Sequence, residues 1–270
     1  VFMQVLGLCR FSSPGIAGFQ IAHHRLEDRI AFLYAPERLE ERFRFFECFT
    51  LPSIRAQLDP DFTFLIVIGD SLPAEHRARL QALVQDVPQV QIQAHPPGPH
   101  RDVMKAAINS VRDGDGPCLQ FRLDDDDAVA VTFVARLRAA ARQVAGLLED
   151  HRHIALDFNR GFIARPGPKG IEATAIHKPL WTAGLALMLR PEVNVTVMNF
   201  AHHAMGRKMP TVSFPTDNMM LRGHNDYNDS RQGEGVKPVR LTPLDAEGEQ
   251  LFRDTYNIDA DHVRRVFGQG

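Results

Sequence analysis

The chain has 270 residues, 44% of them hydrophobic and 24% charged, which suits one large globular domain or two small ones with material for a sizeable core. With 31 basic against 33 acidic residues the formal charge is −2, so no global field draws the protein to nucleic acid or to an anionic membrane. Cys9, Cys48 and Cys118 are odd in number, far apart and set among apolar residues, which argues against a disulfide frame or a zinc site and for reduced core thiols. The opening VFMQVLGLCRF is too short for a secretory signal, and no stretch reaches the roughly 18 apolar residues of a spanning helix. The expectation is a cytoplasmic protein, with the inner face of the membrane as a possible place of work. The chain opens on Val1 rather than methionine, which leaves room for a longer native start.

In chain order, the first half alternates strand-like and helix-like patterns, as in a parallel sheet covered by helices. Residues 4–11 read as a first strand. Residues 38–58 have helical apolar spacing through Leu39, Phe43, Phe46, Phe49 and Ile54, with an interruption expected near Pro52. FTFLIVI, residues 62–68, is a continuous apolar run and so a buried central strand. A helix opens at residues 72–75, residues 90–94 form a short strand, and 100–112 are helical. Residues 117–123 form the strand that delivers the chain to four adjacent aspartates, and 131–148 form an alanine-rich amphipathic helix. Beyond, 154–158 and 161–164 read as paired strands, 181–189 as a strand and 193–204 as a helix. RPGPKG and RQGEGVKP are loops.

The acidic run in QFRLDDDDAV admits a plain reading, in which one aspartate caps the next helix and others favour its dipole. A cap needs one side chain, however, and four neighbouring carboxylates repel one another unless a cation compensates. Alternation in an extended segment puts Leu119, Phe121 and Leu123 on one side and Gln120, Arg122, Asp124 and Asp126 on the other. Two carboxylates beside Arg122 at the end of a buried strand suit Mg²⁺ or Mn²⁺ shared with substrate phosphates. The glycine and distal glutamate of an EF-hand are missing. Asp125 and Asp127 suit the turn and the following helix.

Four features stand in order: a strand ending in CRFSSPG, the strand FLIVIGDS, the helix HRDVMKAAINSV, and PCLQFRLDDDD. With them the chain resembles the GT-A glycosyltransferases, and more specifically a bacterial rhamnosyltransferase family; the likeness is clearest over roughly residues 4–150. It implies an α/β, Rossmann-like, mostly parallel sheet flanked by helices and a single domain over 1–270. Residues 1–150 would bind the nucleotide sugar, and an irregular second half, 151–270, would take the acceptor. The implied donor is a nucleotide-diphosphate sugar, with dTDP-rhamnose suggested by the family, and the implied cofactor is Mn²⁺ or Mg²⁺. The implied acceptor is a saccharide or glycoconjugate hydroxyl, with inversion at the anomeric carbon. Carried over by position, Asp124 lies nearer the ribose, Asp126 on the metal and Asp125 among the nucleotide-sugar contacts. Asp70 matches an acid that meets the base or ribose, although a turn-forming aspartate is an equal reading. Arg10, Phe11 and Ser12 follow the first strand where the nucleotide is received; Arg101 could face the donor, whereas Asn109 suits a helix end.

In the second half, TDNMMLRGHNDYNDS concentrates polar groups. His224 is the expected third metal ligand, with His202 and His203 as rivals. Asp217 and Asp226 are the candidate bases and Asp157 a third; Asp217 also suits a helix N-cap before NMML. Trp181, the single tryptophan, could stack on an acceptor sugar or simply pack the core. Two other readings remain: a nucleotidyltransferase or other phosphotransfer enzyme, which should carry a glycine-rich phosphate loop that the sequence lacks, and a non-catalytic carbohydrate- or nucleotide-binding protein with a decayed site.

Overall fold

The computed structural model describes residues 3–16, 25–225 and 239–269. The first half follows the expected alternation: β1 (Gln4–Arg10), α1 (Leu26–Leu33), α2 (Pro36–Phe45), α3 (Leu51–Arg55), β2 (Thr63–Gly69), α4 (Ala74–Val84), β3 (Val90–His95), α5 (His100–Asn109) and β4 (Cys118–Arg122). After the acidic run come β5 (Ala128–Val129), α6 (Phe133–Gln143), β6 (His153–Phe158), β7 (Arg160–Gly167), β8 (Gly170–His177), β9 (Leu185–Leu189), β10 (Thr211–Phe214) and β11 (Met220–Gly223). The order closes with β12 (Thr242–Pro243), α7 (Ala246–Tyr256) and α8 (Ala260–Phe267).

A seven-stranded sheet has the order β10-β6-β9-β4-β1-β2-β3, and only β9 runs against the others. The mostly parallel α/β sheet therefore stands as expected. Alternation along its strands feeds two apolar layers. Val5, Cys9, Phe64, Ile66, Leu119 and Phe121 join the phenylalanine-rich side under α2, while Leu6, Leu8, Leu65 and Val67 face Met104 and Ile108 of α5. The three cysteines are unpaired and buried, and burial pushes the Cys48 and Cys118 thiols up to about 12 and about 11.

A second sheet, β12-β8-β7-β11-β5, joins its partner at the acidic run. Here several expectations fail. The strands near 154–158 and 161–164 are not paired with each other, because β6 continues the large sheet while β7 pairs with β8 and β11. RPGPKG is not all loop: Arg165, Pro166 and Gly167 end β7, the β7–β8 hairpin turns at Pro168 and Lys169, and Gly170 opens β8 at φ 117°. Residues 193–204 form no α-helix but two 3₁₀ segments, Val197–Asn199 and His202–Arg207. The segment 181–189 starts with a 3₁₀ turn before β9. Pro52 does not interrupt its helix, since a π-turn, Phe46–Thr50, precedes it and makes α2 and α3 continuous. The sequence reading passed over α7 and α8, each opened by an aspartate cap, Asp245 on Gly248 and Asp259 on Asp261 and His262. Among the described residues no helix is long and apolar enough to cross a membrane.

Candidate functional site

The carboxyl ends of β1 and β4 lie side by side, Leu8 being in register with Arg122, and open sheets receive ligands at that edge. Side-chain alternation holds as far as Asp124. Leu119, Phe121 and Leu123 are in the phenylalanine-rich layer, whereas Gln120 turns the other way and accepts from the Val197 N–H at 3.1 Å. Arg122 follows it and donates to Thr182 Oγ1 at 3.1 Å. The chain then turns, with the Asp127 N–H donating to the Asp124 carbonyl at 3.1 Å. Beyond this turn the strand alternation no longer applies: Asp124 is half-buried and Asp126 buried, and both stay within electrostatic reach of Arg42 and Arg222.

Asp125 and Asp126 are paired with Arg42 of α2, Asp126 at 3.2 Å, and Asp126 also accepts from Asn225 Nδ2 at 2.7 Å. Asp127 accepts from the Gly223 N–H at 3.0 Å, and its own carbonyl accepts from Thr50 Oγ1 at 2.8 Å. These three aspartates are 2–4% exposed, while Asp124 remains half-buried. Burial alone would raise the Asp124 carboxyl, but Arg122, Arg10, Arg222 and Arg42 together hold it below the ordinary carboxylate range. Asp127 goes the other way, pushed well up by burial and then by Asp126. His100, at the start of α5, is buried beside Arg10 and Arg122, and its imidazole is driven down to about 3.

The sequence-predicted residues separate clearly by place. Arg10, Arg122 and Asp124 come together. Trp181 joins them: the Arg222 guanidinium lies 5.0 Å from its ring centroid and Lys178 lies 5.9 Å away. Phe11 is fully buried, 4.8 Å from the Phe43 ring and 5.6 Å from the Phe46 ring, and so serves the core rather than a nucleotide. Ser12, at φ 45°, is buried and accepts from Arg38 at 3.1 Å. Asp70 is exposed at the end of β2, where its carbonyl accepts from Arg77, and Arg101 is exposed in the first turn of α5. Asn109 ends that helix and donates to the Asn194 carbonyl.

His224 stands between Gly223, bonded to Asp127, and Asn225, bonded to Asp126, but among the described residues it makes no metal-holding trio with Asp124 and Asp126. It lines a 380 Å³ recess with Glu37, Glu41, Arg44, Arg165 and Phe267. His202 is bonded through Nδ1 to the Leu180 carbonyl at 2.6 Å, with the His203 ring packed against it. Asp217 precedes a strand rather than a helix, at the opposite end of the β5–β11 pair from Asp126. It opens on a separate recess and is bonded to Arg136 at 2.6 Å. Asp226 lies outside the described residues. Asp157 is fully buried and accepts from the Leu180 N–H, Ser213 Oγ and Asn159 Nδ2, fixing the turn that leads to Trp181. Burial raises its carboxyl all the same.

Mn²⁺ and Mg²⁺ need several open oxygens; Asp126 is engaged by Arg42 and Asn225, Asp124 is half-buried, and among the described residues no trio of His, Cys, Asp or Glu is placed to hold a metal. The sequence reading missed Arg42, Arg222 and Asn225. Arg42 had a signal, since it falls within the apolar stripe Leu39, Phe43 and Phe46, where a charge needs a buried partner.

The sheet order and the charged crevice at its carboxyl edge define an α/β protein built on a mostly parallel sheet. The chain belongs to the family described as "Putative rhamnosyl transferase", whose model matches residues 4–237. Among solved structures it is similar to S. aureus TarS 1–349 in complex with UDP, with 8% identity and a TM-score of 0.44 over 82% of this chain and 61% of that one. For the same protein with UDP-GlcNAc the values are 8%, 0.41, 84% and 60%. The chain thus spans about three fifths of the TarS chains it matches. A nucleotide-diphospho-sugar transferase of Desulfovibrio desulfuricans G20, itself described as putative, gives 11% identity and a TM-score of 0.36 over 83% of both chains. Comparison with curated proteins gives no significant match.

Proposed function

We propose that the protein transfers a sugar from a nucleotide-diphosphate donor to a hydroxyl of a saccharide or glycoconjugate, with inversion. Family membership favours rhamnose carried on dTDP. The observation that carries this reading is the convergence of Arg10, Arg122 and Arg222 around Asp124 at the carboxyl edge of the sheet. When the bond from the anomeric carbon to the phosphate oxygen breaks, negative charge collects on the leaving diphosphate, and positioned guanidinium groups stabilise it. The acceptor oxygen bonds to the anomeric carbon from the opposite face and gives its proton to a base. Trp181, held beside Arg222, offers a flat surface for a sugar.

Asp226 is our choice of base, because it follows Asn225, which is bonded to Asp126. Asp217 faces another recess and Asp157 is spent on three donors. The reading is tested by incubating the protein with dTDP-rhamnose and with UDP- and GDP-sugars, with and without saccharide acceptors, and measuring nucleotide diphosphate release and glycosylated product. Release from a dTDP-sugar with product formation is expected, and no release from any donor overturns the proposal. The base is tested by comparing Asp226→Asn with Asp217→Asn; the first is expected to lose about 100-fold or more in turnover, and the larger loss in Asp217→Asn would reverse the assignment.

A further inference from the structure

We infer that Asp157 and His202 are positioning residues for the crevice. By holding Leu180 between them they set the places of Trp181 and Thr182, and through these the places of the Arg222 and Arg122 guanidinium groups. The inference rests on the reading above that those guanidinium groups meet the donor's diphosphate. Three consecutive residues make the link. Leu180 has φ 58°, a left-handed backbone that a side chain disfavours, so bonds from its surroundings must hold it there. They come from both sides: the Leu180 N–H donates to the Asp157 carboxylate at 3.0 Å, and the Leu180 carbonyl accepts from His202 Nδ1 at 2.6 Å. The next residue, Trp181, has its ring centroid 5.0 Å from the Arg222 guanidinium of β11. The one after it, Thr182, accepts from Arg122 of β4 through Oγ1 at 3.1 Å. Arg122 belongs to the seven-stranded sheet and Arg222 to the five-stranded one, so residues 180–182 form a bridge between the two.

The Asp157 end of the bridge is built to be rigid. Asp157 is fully buried in β6, and its two carboxylate oxygens serve different elements. Oδ1 takes the Leu180 N–H, while Oδ2 takes Ser213 Oγ of β10 at 3.1 Å and Asn159 Nδ2 at 3.3 Å. The turn is tied once more where the Lys178 N–H donates to the Asn159 carbonyl at 2.7 Å. A carboxylate is a costly way to stabilise the interior of a sheet, because desolvation works against its charge. Joined to fixed donors on several segments, it sets one orientation of the turn where apolar packing would tolerate several.

Trp181 is the single tryptophan, so fluorescence of the intact protein reports its place without any ligand. Asp157→Ala removes the acceptor of the Leu180 N–H, whereas Asp157→Asn keeps an amide oxygen for it. Well below the melting temperatures, Asp157→Ala and His202→Ala are each expected to shift the emission maximum and alter quenching by iodide, and Asp157→Asn to keep the wild-type spectrum. In calorimetric titrations with dTDP and UDP, Asp157→Ala is expected to raise the dissociation constant about tenfold and Asp157→Asn less than about twofold. Asp259→Ala, which uncaps α8, is expected to leave both readouts unchanged. Unchanged emission in Asp157→Ala, or in His202→Ala where the first does not fold, overturns the inference. So does the same emission change in Asp259→Ala, which would assign it to lost stability, or an equal loss of binding in Asp157→Asn. A changed emission with unaltered nucleotide binding in the alanine variants overturns the link to the guanidinium groups and leaves the donor reading standing. No binding of either nucleotide by the wild-type protein overturns both together.

Discussion

The two sheets meet at the acidic run and contribute to it differently. The seven-stranded sheet delivers Arg10, Arg122 and Asp124 simply by where its parallel strands end. The five-stranded sheet delivers Arg222, Gly223 and Asn225 through one short antiparallel contact, Leu221 with Ala128 and Met220 with Val129. The first contribution follows from the chain's local pattern and the second from a pairing between distant segments. Half of the crevice is therefore built by topology and half by a seam, and the seam is where substitutions should separate the two.

The largest expected effect is at the seam's buried ion pairs. Arg42→Ala removes the buried guanidinium paired with Asp125 and Asp126 and is expected to cost about 3–5 kcal/mol, read by urea unfolding. Gly223→Ala is next, because a methyl group there would overlap the Asp126 carbonyl oxygen; a loss of about 1–3 kcal/mol is expected, with nucleotide binding falling as the run shifts.

Asp157→Ala, within the large sheet, removes the acceptor of three donors and is expected to cost about 1–3 kcal/mol. Its pH dependence gives a second readout. The folded Asp157 carboxyl is raised above its unfolded value, so unfolding releases a proton, and its contribution to stability declines as pH rises from the ordinary carboxylate range through the folded value. Asp157→Asn is expected to flatten that slope, and an unchanged slope would assign it to another group.

The smallest effect is far from the seam. Asp259→Ala removes the α8 cap at about 1 kcal/mol. Here the sign reverses. Burial works against ionisation, but the Asp261 and His262 N–H groups and nearby arginines prevail and hold the carboxyl low. The cap's contribution is therefore present above the ordinary carboxylate range and lost as pH falls through the folded value.

What the sequence made legible follows the same division. β1, β2 and β4 were readable because both faces of a parallel sheet are covered and the strands become apolar runs, and the edge strand β3 because Val90, Ile92 and Ala94 alternate with glutamines. The crevice was readable as far as Asp124, where alternation still applies. It failed at Asp126 because a turn ends the extended geometry, and at Arg42, Arg222 and Asn225 because their partners lie on other segments of the chain. Phe11 was misjudged by its neighbours, since following a strand end says nothing about which layer a ring enters. Asp217 was misjudged as a cap because MML fits a strand as well as a helix, and the pairing of Met220 with Val129 and Gly161 decides it.

The π-turn before Pro52 has a consequence for how α2 and α3 work as a brace. Eight residues apart on an uninterrupted α-helix, Arg42 and Thr50 would project about 80° from each other. The wide turn at Phe46–Thr50 takes up about one extra residue, which removes roughly 100° of rotation and brings the two side chains nearly into line. Both then grip the acidic run, Arg42 at the carboxylates and Thr50 at the Asp127 carbonyl. The extra residue acts as a phase adjuster, and deleting one residue between Phe46 and Thr50 would leave a regular helix with the two grips seven residues apart, about 20° off line and so still on one face.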